Sequence, residues 1–223
     1  MEIYDNVPQH LTDGTANPEW LSLRAGKFTG SDFHQYLGIV KKGDLSETAE
    51  SNLYKKVLES MGEVFDTPRS EAMERGNELE PIARAEYMGD TFNDVQEVAF
   101  VDWEDLRAGC SPDGVIYGQE FILSHAQPIL KIKKIIEIKC PEIKNYLKMA
   151  KGKIPPVYMT QMQYNMLITG AKSCDFVIYH PDMRLIVQEI NADAEYQAEI
   201  VKALELLNAR YDEILEEIKE FKR

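Results

Sequence analysis

The sequence predicts an α/β chain, of the α+β kind, in which a central mixed β-sheet is flanked by helices. Three observations carry that prediction. Runs rich in β-branched and aromatic residues crowd the stretch from Val95 to Cys140, separated by Gly, Asp and Pro turn signals. Segments with helix-start and helix-stop signals lie on both sides of it. Two more strand-like runs, Cys174 to Tyr179 and Leu185 to Ile190, are turned by His180-Pro181-Asp182. At 223 residues and 44% apolar composition the chain can bury one sizeable core, and no linker, repeat or low-complexity stretch divides it. One domain, 1–223, is expected, with a helical N-terminal part over 1–65, a core over 66–192 and a C-terminal helix over 193–223.

Taken in order, Pro18 to Leu23 reads as a short helix, and Thr29-Gly30-Ser31-Asp32 is placed to cap a second one through Leu37. Asp44 with Glu47 three residues later has the form of a capping box, opening a helix from Leu45 to Met61. Ser70 to Tyr87 follows helical spacing. Pro81 inside it removes a backbone donor, so a kink or restart is expected there. Strands are predicted at Val95 to Val101, Ala108 to Tyr117, Phe121 to Leu123 and Leu130 to Cys140. Helices return at Ile143 to Lys151 and at Pro156 to Thr169, the latter closed by Gly170 as a left-handed C-terminal cap. Asp193 caps a long last helix with Ile200, Leu204, Leu207, Tyr211, Leu215 and Ile218 on one stripe.

Three Cys is a low, odd count, no N-terminal signal sequence is seen, and no apolar run approaches the roughly 20 residues of a membrane helix. The expectation is a soluble, reduced, cytoplasmic protein that makes no use of a membrane. A net charge of −13 argues against nonspecific coating of nucleic acid, which rests on Lys and Arg neutralising phosphates. The charge is unevenly spread. From Lys131 to Lys153 eight lysines face only Glu137 and Glu142, whereas Asp193 to Arg223 is rich in acids. Such a distribution would focus a polyanion on the basic segment, unless the lysines are simply a solvated face.

That basic segment carries the most informative motif. Along Ile135-Ile136-Glu137-Ile138-Lys139-Cys140 an extended strand alternates its faces, so Glu137 and Lys139 point one way and Ile136, Ile138 and Cys140 the other. Asp113, in Ser111-Pro112-Asp113-Gly114, can join them from a neighbouring turn. Two carboxylates and an amine meet the needs of metal-dependent phosphodiester cleavage: Mg²⁺ takes hard oxygen ligands, keeps several waters and leaves room for phosphate oxygens. Asp113 alone would be an ordinary turn aspartate. The four His (10, 34, 125, 180) and three Cys (110, 140, 174) show no zinc spacing, and Cys110 and Cys140 read as small buried residues beside the site.

Asp, a spacer, then Glu-x-Lys is the signature of the PD-(D/E)xK nuclease superfamily, with its restriction-endonuclease-like core. Further motifs follow in order: Trp20-Leu21-Ser22-Leu23-Arg24, Thr29-Gly30-Ser31, Gly76-Asn77-Glu78-Leu79-Glu80, Cys110 to Gly114, Glu137 to Pro141 and Tyr158-Met159-Thr160-Gln161-Met162-Gln163-Tyr164. From about Glu19 to Ile190 the chain resembles the YqaJ-type viral recombinase family, the lambda-exonuclease-like branch. The resemblance implies a Mg²⁺-dependent exonuclease, with two ions per site and Mn²⁺ as a substitute. Such an enzyme degrades one strand of linear duplex DNA from its 5′ end, leaving a 3′ overhang for a single-strand annealing partner. It also implies a homotrimeric ring and a phage or prophage origin in a bacterial host.

Carried over residue by residue, the resemblance gives Asp113 and Glu137 as metal ligands with the Ile138 backbone carbonyl, Lys139 as the catalytic lysine, and Glu80 as the acid serving the second ion. Glu78 is a rival for that last role. Arg24, Ser31, Ser111, Tyr158 and Gln161 match phosphate-contacting positions, and Gln163, polar in an apolar helix, is assigned with them. Each has a plainer alternative: Arg24 pairing with an acid, Ser31 as a helix cap, Glu80 as a solvated residue, and Tyr158, Gln161 and Tyr164 as core-edge packing. One departure stands out. The 23 residues between Asp113 and Glu137 are about twice the family's usual spacer, and the extra length fits a longer hairpin over 117–134.

Overall fold

The computed structural model describes residues 1–5, 7–11, 15–65, 70–120 and 129–221. The mixed sheet is realised as two. One has the order β1-β3-β4-β2, from β1 (Glu2–Tyr4), β3 (Phe100–Trp103), β4 (Ala108–Cys110) and β2 (Phe28–Thr29). The other has the order β5-β6-β7-β8, from β5 (Gly114–Glu120), β6 (Ile129–Lys139), β7 (Ser173–Ile178) and β8 (Ile186–Asn191). Both are mixed: β4 runs parallel to β2 and antiparallel to β3, and β6 runs antiparallel to β5 and parallel to β7. The predicted strand from Ala108 to Tyr117 is therefore broken at Ser111 to Asp113, where the chain passes from one sheet to the other. A lone antiparallel bridge, Gln96 to Val115, ties β5 to the segment before β3.

The 1–65 part is less purely helical than expected, since β1 and β2 from it pair with β3 and β4. Its helices are α1 (Pro18–Arg24), α2 (Gly38–Lys42) and α3 (Glu47–Ser60). In place of a capped helix running to Leu37 there is a 3₁₀ turn at Phe33–Gln35, because the Asp32 side chain gives no cap and pairs with the Thr29 hydroxyl instead. The capping-box reading of Asp44 also fails. Ser46 is the N-cap of α3, its hydroxyl accepting from Ala49 N at 3.2 Å, while Asp44 reaches only Leu45 N. α4 (Glu71–Thr91) runs unbroken through Pro81, without the expected restart. The carbonyl that Pro81 cannot serve belongs to exposed Asn77.

After β6 come α5 (Ile143–Ala150) and α6 (Pro156–Thr169), closed by Gly170 at φ 72°, then the β7–β8 pair. α7 (Ala194–Phe221) starts at Asp193, whose carboxylate accepts from Glu195 N and Tyr196 N. The α7 stripe is as read, with Ala203 and Ile214 joining Ile200, Leu204, Leu207 and Tyr211 in the core and Leu215 and Ile218 at its edge. The long β5–β6 hairpin pairs as far as Glu120 with Ile129, and its turn, with the strand expected at Phe121 to Leu123, lies outside the described residues.

What positions the site is the burial of β6 on both faces. Ile136 and Ile138 pack with Ala83 and Tyr87 of α4 in a small core, while Ile132 and Ile135 on the other side join the main core with Met162 and Tyr164 of α6. The capping correction has a direct test: Ser46→Ala should cost about 1 kcal/mol in a denaturant unfolding curve, whereas Asp44→Ala should leave the midpoint nearly unchanged.

Candidate nuclease site

Glu137 projects from the middle of β6 toward α6 and is 0% exposed. Burying a carboxylate is costly unless it is paired and hydrogen-bonded. Here Lys139 Nζ lies 2.5 Å from Oε1, and Asn165 Nδ2 of α6 donates to Oε2 at 3.3 Å. Asp113 arrives from the turn before β5, with Oδ2 accepting from Ile138 N at 2.6 Å. Its closeness depends on Gly114, which faces Ile136 across the ladder. A Cβ at 114 would stand 2.3 Å from Val95 Cγ1.

Glu80 comes from the inward face of α4, which also carries buried Ala83, Arg84 and Tyr87. Arg84 holds it, with Nη2 at 2.6 Å from Glu80 Oε1, Nε donating to the Asp113 carbonyl at 2.9 Å and Nη1 reaching Glu97 at 2.7 Å. Glu78 is exposed, so the inward acid is Glu80. Gly76, a turn earlier, meets nothing within 4 Å of where a Cβ would be.

All three carboxyls are held above their ordinary pKa, chiefly by burial. Burial, then Asp113, pushes Glu80 up to about 8. Burial raises Glu137 to about 7 against the pull of Lys139, with Asp113 adding to the rise. Asp113 is also raised by burial, opposed by Lys139 and the Ile138 N–H. Burial alone would lower the Lys139 ammonium, but Glu137 and Asp113 outweigh it and hold the amine above its ordinary value.

Among the described residues no three His, Cys, Asp or Glu side chains converge as a ready-made metal cluster. The donor set fits an ion that takes few protein ligands. It offers hard carboxylate oxygens on one rigid support, with like-charge repulsion that a divalent cation would relieve.

Beside the carboxylates lies a second group. Arg24, in the last turn of α1, donates from Nη1 to Ser111 Oγ at 3.0 Å and stacks 4.5 Å over the Trp20 ring. Trp20 Nε1 also reaches Ser111 Oγ, at 3.2 Å, and the Ser111 hydroxyl donates to the Ala99 carbonyl at 2.6 Å. Among the described residues no carboxylate lies within ion-pair distance of Arg24, so the pairing alternative drops away. Its guanidinium is left for an external anion. Ser31 is exposed, 3.4 Å from the Thr29 hydroxyl, and does not cap a helix. It leaves β2 at the end where Ser111 leaves β4, since Thr29 pairs in parallel with Gly109.

On α6, Tyr158 lies under the Lys139 ammonium, 5.1 Å from the ring centroid, and the half-buried Gln161 amide makes no hydrogen bond among the described residues. Gln163 is a correction. It is buried, Nε2 donates to the Asn191 carbonyl and Oε1 accepts from Asp193 N, both at 2.9 Å, so its amide is spent tying α6 to the start of α7. Tyr164 is also interior, donating to the Phe28 carbonyl at 2.7 Å. Cys140 is half-buried where full burial was expected, and Cys110 is buried.

Two residues of the site were missed in the sequence. Arg84 had a faint signal in its four-residue spacing from Glu80 on one helix face. Asn165 had one too, a polar residue one turn beyond Gln161 in an apolar helix.

The fold, and a buried Asp/Glu-x-Lys site beside an unpaired arginine, are those of a nuclease-like protein. A model of the YqaJ-like viral recombinase domain matches residues 19–172, and the chain belongs to that family. Among solved structures it is similar to an alkaline exonuclease (LHK-Exo) from Laribacter hongkongensis, with TM-score 0.75, 28% identity, and coverage of 92% of this chain and 97% of that one. LHK-Exo in complex with dAMP gives TM-score 0.74 at 28% identity, with the same coverage. A phage related exonuclease from Haemophilus somnus 129PT shares the fold at TM-score 0.62 and 19% identity, covering 86% of this chain and 96% of that one. No curated protein matches, and among the described residues no helix is long and apolar enough to cross a membrane.

Two tests follow from this geometry. A carboxyl whose folded pKa lies above its unfolded value binds its proton more tightly when folded, so its contribution to stability is present at low pH and is lost as pH rises. With Glu137 near 7 and Glu80 near 8, against an ordinary 4.5, the melting temperature in EDTA should fall as pH is raised from about 4.5 to 8. Glu137→Gln should flatten that slope, and a slope identical to wild type would count against the shifts. Gln163→Leu should lower stability by about 1–3 kcal/mol while leaving DNA cleavage per folded molecule unchanged; a selective loss of DNA binding would restore Gln163 to the site.

Proposed function

We propose that this chain is a Mg²⁺-dependent exonuclease that degrades one strand of linear duplex DNA from the 5′ end. The 3′ overhang would serve recombination by single-strand annealing, and the enzyme would work as a homotrimer. The observation that carries the reading is the adjacency of two unlike sites: mutually repelling carboxylates with a lysine on β6, and an unpaired Arg24 bonded to Ser111, two residues before Asp113. The first suits hydrolysis at a phosphodiester, and the second suits capture of a terminal phosphate. Similarity to an alkaline exonuclease at 28% identity over most of both chains supports it.

Asp113, Glu137 and the Ile138 backbone carbonyl would hold one ion, and Glu80 would serve a second. Bound Mg²⁺, or Mn²⁺ in its place, supplies Lewis acidity at the phosphoryl oxygens and makes a water molecule more acidic. Lys139, kept protonated by Glu137 and Asp113, orients the attacking water and offsets charge on the phosphoryl group. Arg24 presents a forked guanidinium to the 5′ phosphate, with Ser111, Ser31, Tyr158 and Gln161 as uncharged contacts. Holding that phosphate after each cut keeps the enzyme on its strand. A ring would also reconcile DNA binding with a net charge of −13, since only its channel has to be basic.

Lys139→Ala should lower cleavage by several orders of magnitude while duplex binding persists, and wild-type turnover in that variant would refute the mechanism. Arg24→Ala should shorten the run of nucleotides released per binding event more than it slows the first cut; unchanged product-length distributions would remove the anchor role. Linear duplex labelled at either end, set beside a closed circle with Mg²⁺, reads polarity and end-dependence together. Rapid loss of the circle would favour an endonuclease instead.

A further inference from the structure

Asn165 is 2% exposed and stands between the two halves of the site. Its Nδ2 donates to Glu137 Oε2, and its Oδ1 is buried with no hydrogen-bond partner among the described residues. That oxygen abuts Gly30. A Cβ built on Gly30 would lie 2.3 Å from Oδ1 and 3.2 Å from Tyr164 Cδ1, closer than the Asn165 amide could tolerate without moving. Gly30 does not have a positive φ, so what residue 30 must lack is bulk. Turning the Asn165 amide over would set its oxygen against the Glu137 carboxylate, acceptor to acceptor. The amide is therefore fixed with its donor on Glu137. With Lys139 on Oε1 and Asn165 on Oε2, the carboxylate cannot rotate without losing one of the two.

We infer that Asn165 is a positioning residue, which locks the Glu137 carboxylate in the orientation that receives a divalent cation, and that Gly30 is glycine so that Asn165 can do this. The inference rests on the proposed function, through the metal-binding role given there to Glu137. Each carboxylate oxygen has two lone-pair positions, so one donor per oxygen leaves a position open for an ion. Gly30 also directly precedes Ser31, which the proposed function gives to the terminal phosphate. The backbone beside Ser31 and the ion-binding carboxylate are thus joined through Asn165.

The test compares wild type with Asn165→Leu and Gly30→Ala. Leucine keeps the branched skeleton of residue 165, with more bulk, and removes both polar ends, and melting in EDTA checks that each variant folds. Mn²⁺ binding to DNA-free protein is read from the paramagnetic signal of the free ion, and the Mg²⁺ dependence of cleavage is measured separately. Removal of such supporting partners weakens metal affinity by about 10–100-fold. Both variants should show that loss, with the cleavage rate largely recovered at high Mg²⁺, and Asn165→Leu should bind 5′-phosphorylated duplex in EDTA as wild type does. If wild type binds Mn²⁺ and both variants bind it equally well, the inference is overturned while the proposed function stands. A rate that is low at every Mg²⁺ concentration, without recovery, marks Asn165 as merely structural and also overturns it. Wild type that neither binds Mn²⁺ nor cleaves DNA would overturn the proposed function and this inference together. Should Asn165→Leu fail to fold, Gly30→Ala carries the same outcomes from outside α6.

Discussion

A fully buried carboxylate at the centre of the second sheet is the constraint on which the rest of this structure depends. Glu137 lies on a strand covered by α4 on one face and α6 on the other, with β5 and β7 as its neighbours. An isolated ion there would cost several kcal/mol, so neighbouring side chains have to offset its charge. β6 itself supplies Lys139, α6 supplies Asn165, and the loop after β2 gives up a side chain at Gly30 to let Asn165 in. Asp113, on the opposite side, is steadied by the Ile138 N–H and by a close approach at Gly114. The site is the product of two helices, three strands and two glycines whose requirements agree.

The compensation is incomplete, and the imbalance is where function enters. Asp113 adds to the raised pKa of both Glu80 and Glu137, and Glu137 adds to that of Glu80, while Arg24 stands without an acidic partner among the described residues. A folded protein that leaves both an excess of negative charge and an unpaired guanidinium in one region is arranged for ligands of both signs. In the proposed function a divalent cation answers the first and a phosphate the second. The acids of α7 answer to neither, since that helix buries its apolar stripe and turns its carboxylates toward solvent and toward Arg210 and Arg107. Net charge is therefore a poor guide to the partner of this molecule, and local pairing is a better one.

Much of this was legible in the chain because short-range rules decide it. The alternation of β6 separates Glu137 and Lys139 from Ile136 and Ile138, and the bounds of α6 follow from Pro156 and Gly170. What escaped depends on contacts between distant segments. Gln163 and Asn165 are both polar residues on the same apolar helix, and nothing local says that one ties α6 to α7 while the other serves Glu137. Asp44 and Ser46 both fit a cap, and the choice falls to whichever residue the tertiary path leaves extended at the helix start. The split into two sheets was hidden because Ser111 to Asp113 interrupts an otherwise continuous strand signal only where the chain must cross over and deliver Asp113 to the site.

The proposed function requires that the Asp113 and Glu137 carboxylates, buried at a cost, be held to receive a divalent cation. Anomalous scattering from crystals soaked in Mn²⁺ tests it without reliance on activity. The account predicts a peak bonded to a carboxylate oxygen of each residue, with Lys139 and Asn165 still flanking Glu137. A well-ordered site with both side chains in place and no ion between them, at a Mn²⁺ concentration that supports cleavage, would contradict it.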